Sequence, residues 1–252
     1  MKKIQEIDSC NILNVNINIL NLNCTKKLLQ ENIKELKGEY ICVSNVHTTV
    51  MSYEDEDYKK VQNEAILRLP DGAPLSIISR IKGFKNAERV TGPDLMRVIF
   101  EDSDIESYTH YFYGSKNETL KILEKNLLSD YPKIKILGKY SPPFRQLTQE
   151  EDRKIVEEIN SLNPDFVWVG LGAPKQEKWM NQHKNKINGL MVGVGAGFDY
   201  FAGSIKRAPN WMQKLSLEWL YRLMQEPNRL FKRYFVTNSK FIYFYLKDII
   251  RR

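Results

Sequence analysis

Asp165-Phe-Val-Trp-Val-Gly-Leu-Gly-Ala-Pro-Lys-Gln-Glu177 is an apolar run, a glycine-rich turn and a helix start carrying proline in its first turn. The run Asp165 to Leu171 has the length and composition of a strand buried on both faces, and the helix predicted from Pro174 extends to about Lys186. A second apolar strand, Leu190 to Val194, follows. Strand, helix, strand at this spacing is the parallel unit of an α/β layered domain with a mainly parallel sheet. Working towards the N-terminus, the same alternation recurs. Thr148-Gln-Glu-Glu151 has the form of a capping box for a helix to about 161. Strands are predicted at Ile134 to Leu137 and His110 to Tyr113, separated by a helix over 116–130. Before them come helices at 93–103 and 74–82, strands at Ile66 to Leu69 and Tyr40 to Val43, and a helix over 25–37. At the start, Leu13, Val15, Ile17 and Ile19 alternate with Asn14, Asn16 and Asn18, which reads as one half-buried strand.

Composition divides the chain in two. Residues 206–252 hold eleven Lys/Arg against three Asp/Glu, a net +8, whereas the remaining 205 residues hold 27 and 28. The same tail carries ten of the 28 aromatic residues. Basic and aromatic side chains together suit an anionic membrane surface, with cations at the headgroups and rings at the acyl boundary. The bland alternative is a helical hairpin packed on the core with its cations solvated. Nucleic acid fits less well, because the aromatics cluster instead of spacing along a groove. The longest uninterrupted apolar run, Phe241 to Leu246, is six residues, far short of the roughly 18 that cross a bilayer. With no apolar leader after Lys2 and Lys3, the expectation is a cytoplasmic protein, peripheral on the inner face of the membrane. Cys10, Cys24 and Cys42 lack metal-ligand spacing and read as reduced thiols.

In a parallel sheet, ligands sit at the C-terminal strand ends, where the polar motifs of this chain fall. Leu69-Pro-Asp-Gly72 sets a carboxylate on a turn directly after a strand, as a general base requires, although Asp-Gly is also a common structural turn. At Gly170 to Glu177 the free N–H groups of the helix start suit a phosphate, and Gln176 and Glu177 could bond a nucleotide's base or sugar. Gly193-Val-Gly-Ala-Gly-Phe-Asp199 resembles part of a dinucleotide fingerprint but lacks its third glycine and its distant acid, which argues against an NAD-dependent epimerase or dehydrogenase. Asp102-Ser-Asp104 has the DxD form of metal-dependent transferases. Lying in an acidic run at a helix end, it reads as solvated surface, as does Glu54 to Asp57. His47, His110 and His183 are scattered without ligand spacing, and no metal or other cofactor is expected. His47 follows a strand end and could line the cleft.

Taken in order, these stretches resemble the WecG/TagA/CpsF family of bacterial glycosyltransferases. The resemblance is carried by Val43-Ser-Asn-Val-His47, Leu69 to Gly72, Arg89-Val-Thr-Gly-Pro-Asp-Leu95, Ser141-Pro-Pro-Phe144, Gly170 to Glu177 and Gly193 to Asp199. It continues through Arg207-Ala-Pro209, Leu217-Glu-Trp-Leu-Tyr-Arg-Leu223, Glu226-Pro-Asn-Arg229 and Arg233-Tyr234. It implies a modified Rossmann-like core over 1–203 binding a UDP-sugar, with a helical, membrane-associating appendage over 204–252. It also implies an inverting, metal-independent transfer, typically of N-acetylmannosamine from UDP to undecaprenyl-diphosphate-linked N-acetylglucosamine in teichoic acid or related polymer synthesis. Glucose or N-acetylmannosaminuronate are alternative donor sugars, a non-enzymatic lipid- or nucleic-acid-binding module is a further alternative, and a homo-oligomer stays open. Carried onto this chain, Asp71 is the general base. Asn45, Arg89, Gln176 and Asp199 contact substrate, and Arg222 and Arg229 neutralise a diphosphate. Many members have threonine where this chain has Val43, so that hydroxyl must come from Ser44 or Thr48 or be absent.

Overall fold

The computed structural model describes residue 4 and residues 6–250, and the backbone alone at 104 and 214. A six-stranded sheet, parallel throughout, has the order β4-β3-β8-β7-β5-β6. Its strands are β3 (Tyr40–Ser44), β4 (Leu67–Pro70), β5 (Thr109–Gly114), β6 (Lys135–Tyr140), β7 (Phe166–Gly170) and β8 (Leu190–Gly193). The first helices are α1 (Leu22–Asn32), α2 (Val46–Glu54), α3 (Glu56–Asn63), α4 (Ala73–Ile81), α5 (Gly92–Glu106) and α6 (Asn117–Asp130). Then come α7 (Gln149–Leu162), α8 (Lys175–Gln182), α9 (Gly197–Phe201), α10 (Asn210–Lys214), α11 (Glu218–Gln225) and α12 (Pro227–Ile250). The parallel sheet and the helical C-terminal segment agree with the expected α/β architecture. The helices α2 and α3 between β3 and β4 have no counterpart in the sequence reading.

Alternation along each strand sends side chains into two layers. On one face Ile41, Leu69, Phe112, Phe166, Trp168 and Val192 pack with Leu95 and Phe100 of α5. On the other, Tyr40, Tyr111, Tyr113, Val167 and Met191 meet Ile155 and Ile159 of α7 and Trp179 and Met180 of α8. His110 belongs to the first layer. Its Nδ1 accepts the Trp168 indole N–H at 3.2 Å and its Nε2 faces Ser103 Oγ at 2.7 Å, so burial holds it neutral with its pKa near 3. The expected capping box of α7 is present, with Thr148 and Glu151 bonding each other's backbone N–H.

The predicted N-terminal strand is instead a hairpin, β1 (Ser9–Ile12) and β2 (Val15–Asn18), paired antiparallel. Leu13 and Asn14 form its turn with φ of 48° and 67°, the left-handed pair that a two-residue hairpin loop needs. Asn18 is buried, its Oδ1 accepting the Arg68 N–H at 2.7 Å, so the pattern of outward asparagines fails there. The hairpin, Leu75 and Ile78 of α4, and Phe241 of α12 share a third apolar cluster. This cluster seats the long C-terminal helix against the core, helped by Tyr53 of α2 stacking on Phe244 at 4.5 Å.

Candidate active site

Strand order places the C-terminal ends of β4, β3, β8 and β7 side by side, and helices α11 and α12 close over them. Between them lies a cavity of about 830 Å³. Asp71 stands at its floor, immediately after β4. The Asp71 N–H donates to the Ser44 carbonyl at 2.7 Å and the Val90 N–H donates to the Pro70 carbonyl at 2.8 Å, so the turn is pinned from both sides. Gly72 caps α4 at φ 124°, a backbone that a side chain would strain. Burial lifts the Asp71 carboxyl from 3.8 to about 6; Arg89 and Arg222 hold it down, while Glu218 and Asp94 push it further up. A carboxylate so poised is ionised at neutral pH yet a stronger base than an exposed one.

Asn45 caps α2. Its Oδ1 accepts from the His47 and Thr48 N–H groups, which leaves the amide NH₂ as the group able to face the cavity. Neither candidate replacement for a threonine at position 43 is available. Ser44 Oγ turns away and donates to Gln62, and Thr48 Oγ1 is used by the cap. The wall at Val43 is therefore apolar. His47 lines the cavity, its pKa lowered by burial and by Arg233.

Gln176 lines the cavity but is occupied within the protein. Its Oε1 accepts from the Gly172 and Gly195 N–H groups at 3.1 and 3.0 Å, and its Nε2 donates to buried Glu177 at 2.8 Å. It ties the ends of β7 and β8 together. The phosphate site expected at these glycine turns loses two of its N–H donors in the process. Gly193 permits this approach, since a Cβ there would lie 3.0 Å from Gln176 Nε2 and 2.7 Å from Met180 Cε.

Arginines form the opposite wall. Arg89 pairs with Glu218 of α11 at 2.8 Å. Arg207 holds Asp94 with both terminal nitrogens at 2.7 and 2.9 Å, and its Nε approaches Glu218 at 3.6 Å. Arg89, Glu218, Arg222, Arg229 and Arg233 line the cavity, whereas Arg207 and Asp94 do not, and the Nε atoms of Arg222 and Arg233 are buried without a hydrogen-bond partner. Arg222 lies over the Tyr200 ring at 5.6 Å. Asp199 sits beside this wall on α9 but is not among the cavity-lining residues; its neighbour Tyr200 is. Glu218, Asp94, Arg207, Arg233 and Tyr200 were missed as site residues. Thr91-Gly-Pro-Asp94 is legible as a helix start, but nothing local couples it to a guanidinium more than a hundred residues away.

Asp102 corrects another expectation. It is buried, paired with Lys26 at 2.6 Å and accepting from Gln30 at 2.7 Å, and so is not solvated surface. The Asp104 side chain lies outside the described residues. In the other acidic run, Asp55 caps α3 and Glu54 pairs with Lys240 of α12. Among the described residues no three His, Cys, Asp or Glu side chains converge as a metal site.

The sequence matches the glycosyl transferase WecG/TagA/CpsF family over residues 10–252. A Bacillus subtilis (strain 168) protein named N-acetylglucosaminyldiphosphoundecaprenol N-acetyl-beta-D-mannosaminyltransferase is 33% identical, over 85% of this chain and 83% of its own. Relatives of the same name in Bacillus spizizenii (30% identical; 77% and 74% covered) and Staphylococcus aureus strain MW2 (28%; 82% and 83%) are also similar. With the family matched over nearly its whole length, this chain belongs to the WecG/TagA/CpsF family and is a glycosyltransferase.

Proposed function

We propose that the enzyme moves N-acetylmannosamine from UDP onto N-acetylglucosamine-diphosphoundecaprenol, with inversion and without a metal. The reading is carried by one arrangement: a base at Asp71 faces, across one cavity, a wall of arginines drawn from the C-terminal helices. Asp71 would take the proton of the acceptor hydroxyl as its oxygen attacks the anomeric carbon. Arg222, Arg229 and Arg233 would offset diphosphate charge, where bidentate guanidinium bonds are strongest. Asn45 and Arg89 would orient the sugars, and Gln176 would act through the loops it joins. The named relatives act on this lipid-linked acceptor, which supports the choice.

The apolar wall at Val43 favours weighing a second donor. A relative using a hydroxyl there would contact a sugar group that this chain cannot reach, so glucose or N-acetylmannosaminuronate are the alternatives.

We place the enzyme at the inner membrane surface, with residues 204–252 as the docking element. Among the described residues no helix is long and apolar enough to cross a membrane. Trp211, Leu215, Met224, Phe231 and Phe235 are each more than half exposed on the appendage, a concentration suited to an interface.

The deciding experiment is UDP release from UDP-N-acetylmannosamine, UDP-glucose and UDP-N-acetylmannosaminuronate with a soluble lipid-diphosphate acceptor, the product's anomeric configuration being read by NMR. Turnover with the first donor and a β product is expected. Preference for another donor would replace the sugar, and absence of release with all three would remove the proposal.

A further inference from the structure

The cavity face of α12 changes character along its length. Arg229 and Arg233 come first, then Tyr234, Thr237 and Asn238, then Phe241 and Ile242, all lining the same space. From Arg233 to Phe241 is eight residues, about 12 Å along the helix axis. At the far end, the cavity wall is completed by Ile77 of α4. Phe241 shares an apolar cluster with Leu75 and Ile78 of α4, and Lys82, directly after α4, lies over the Tyr245 ring at 5.7 Å. Ile77 and Ile242 stay 42% and 59% exposed, and Ile81, one turn beyond Ile77, is 75% exposed.

A basic end joined to an aliphatic end over this distance matches an amphiphile. We infer that the α4–α12 edge of the cavity is a subsite for the first isoprenoid units of a polyprenyl-diphosphate acceptor. The inference rests on the proposed reaction and adds where the hydrocarbon lies. Arg222, Arg229 and Arg233, which line the cavity, give the diphosphate its level. The hydrocarbon follows, because in such an acceptor it is bonded directly to that diphosphate. A nucleobase does not suit the edge, because bases seek open ring faces, and the Phe241 ring is buried, parallel to that of Tyr245 at 6.2 Å. Ile242 also shares a helix face, at seven-residue spacing, with Phe235 and Ile249, which are 68% and 51% exposed. That stripe leads from the cavity edge to the outside of the appendage. A chain leaving the cavity over Ile77 and Ile242 therefore meets Leu246 and Ile249, 53% and 51% exposed, on the turns that follow.

The test uses two water-soluble acceptors with one head, N-acetylglucosamine diphosphate, carrying either a ten-carbon isoprenoid or a methyl group, without vesicles or detergent. With UDP-N-acetylmannosamine as donor, kcat/KM should be at least about tenfold higher for the isoprenoid acceptor, since burying two or three methylenes supports that ratio. In Ile77→Ser with Ile242→Ser the ratio should fall to near one, with an unaltered melting temperature because both side chains are exposed. Ile105→Ser, on the exposed last turn of α5, should keep the wild-type ratio. Equal use of both acceptors by the wild type, or an unchanged ratio in the double variant, would overturn the subsite while leaving the reaction standing. Turnover of neither acceptor would sink the reaction, and the subsite with it.

Discussion

Asp71→Asn should make the protein more stable while nearly abolishing its activity. The carboxyl is lifted from 3.8 to about 6, chiefly by burial. A displacement of about two units corresponds to about 3 kcal/mol, an upper bound because the cavity admits water. Since the folded-state pKa lies above the unfolded one, folding takes up a proton between about pH 4 and 6. Wild-type stability therefore falls as pH rises through that window and stays low above it. Asparagine is never ionised and escapes the penalty. At pH 7.5 the variant should gain about 1–3 kcal/mol, or about 3–10 °C in Tm for a chain of this size. By pH 4.5 about two thirds of the gain should have gone. Turnover should fall about 10²–10⁴-fold with donor affinity nearly intact, because asparagine keeps the shape but cannot accept the proton. Wild-type kcat/KM should fall tenfold per unit below about pH 6. Urea unfolding of both proteins at several pH values, with parallel UDP-release assays, measures all of this. A variant no more stable than wild type at pH 7.5, or one with near-normal turnover, would refute the reasoning.

Chelation by EDTA should leave activity unchanged, and loss restored by Mg²⁺ or Mn²⁺ would overturn the metal-free mechanism. Glu218→Gln removes a charge that raises the Asp71 proton affinity, so the acid limb of the pH–rate profile should move to lower pH; an unmoved limb would leave Glu218 as a structural link alone. Arg222→Ala should raise acceptor KM about 10- to 100-fold, the size of a lost charge-assisted contact. Arg229→Ala should do less, being 56% exposed against 18% for Arg222, with which it shares Glu226. Both should cost more than Arg251→Ala or Arg252→Ala, which lie outside the described residues, and equal effects from all four would reduce the tail to an anchor.

The alternation of apolar runs and helical segments was legible because both faces of the central strands are buried, which leaves continuous runs such as Phe166 to Val169. The hairpin escaped because Leu13 occupies its turn with positive φ, where a β-branched-rich apolar stretch gives no turn signal. The helices α2 and α3 escaped because α2 is rich in β-branched Val and Thr, α3 is polar, and their caps, Asn45 and Asp55, lie where a strand end and an acidic run dominate. At the site, a strand followed by Pro-Asp-Gly put Asp71 at a strand end, where the cavity lies, and the family resemblance made it the candidate base. What each partner does was not legible. That Gly172 and Gly195 converge on Gln176 has no local signal, and Asp102 reads as solvated until Lys26 and Gln30 meet it.

These spent donors decide where an anion can be held. Gln176 takes the N–H groups of Gly172 and Gly195, and Asn45 takes those of His47 and Thr48. Strand-end turns that commonly cradle phosphate through backbone donors are in this way partly closed off. Arg89, the core's own guanidinium in the cavity, is engaged by Glu218. The remaining cations that line the cavity, Arg222, Arg229 and Arg233, all belong to α11 and α12, the first two sharing Glu226. In the proposed mechanism the core would supply the base, and the appendage the charge that a diphosphate requires. An enzyme divided in this way would be complete only when its basic helices are seated on the core. The Arg89–Glu218 and Arg207–Asp94 pairs, together with Phe241 in its apolar cluster, are the contacts that seat them.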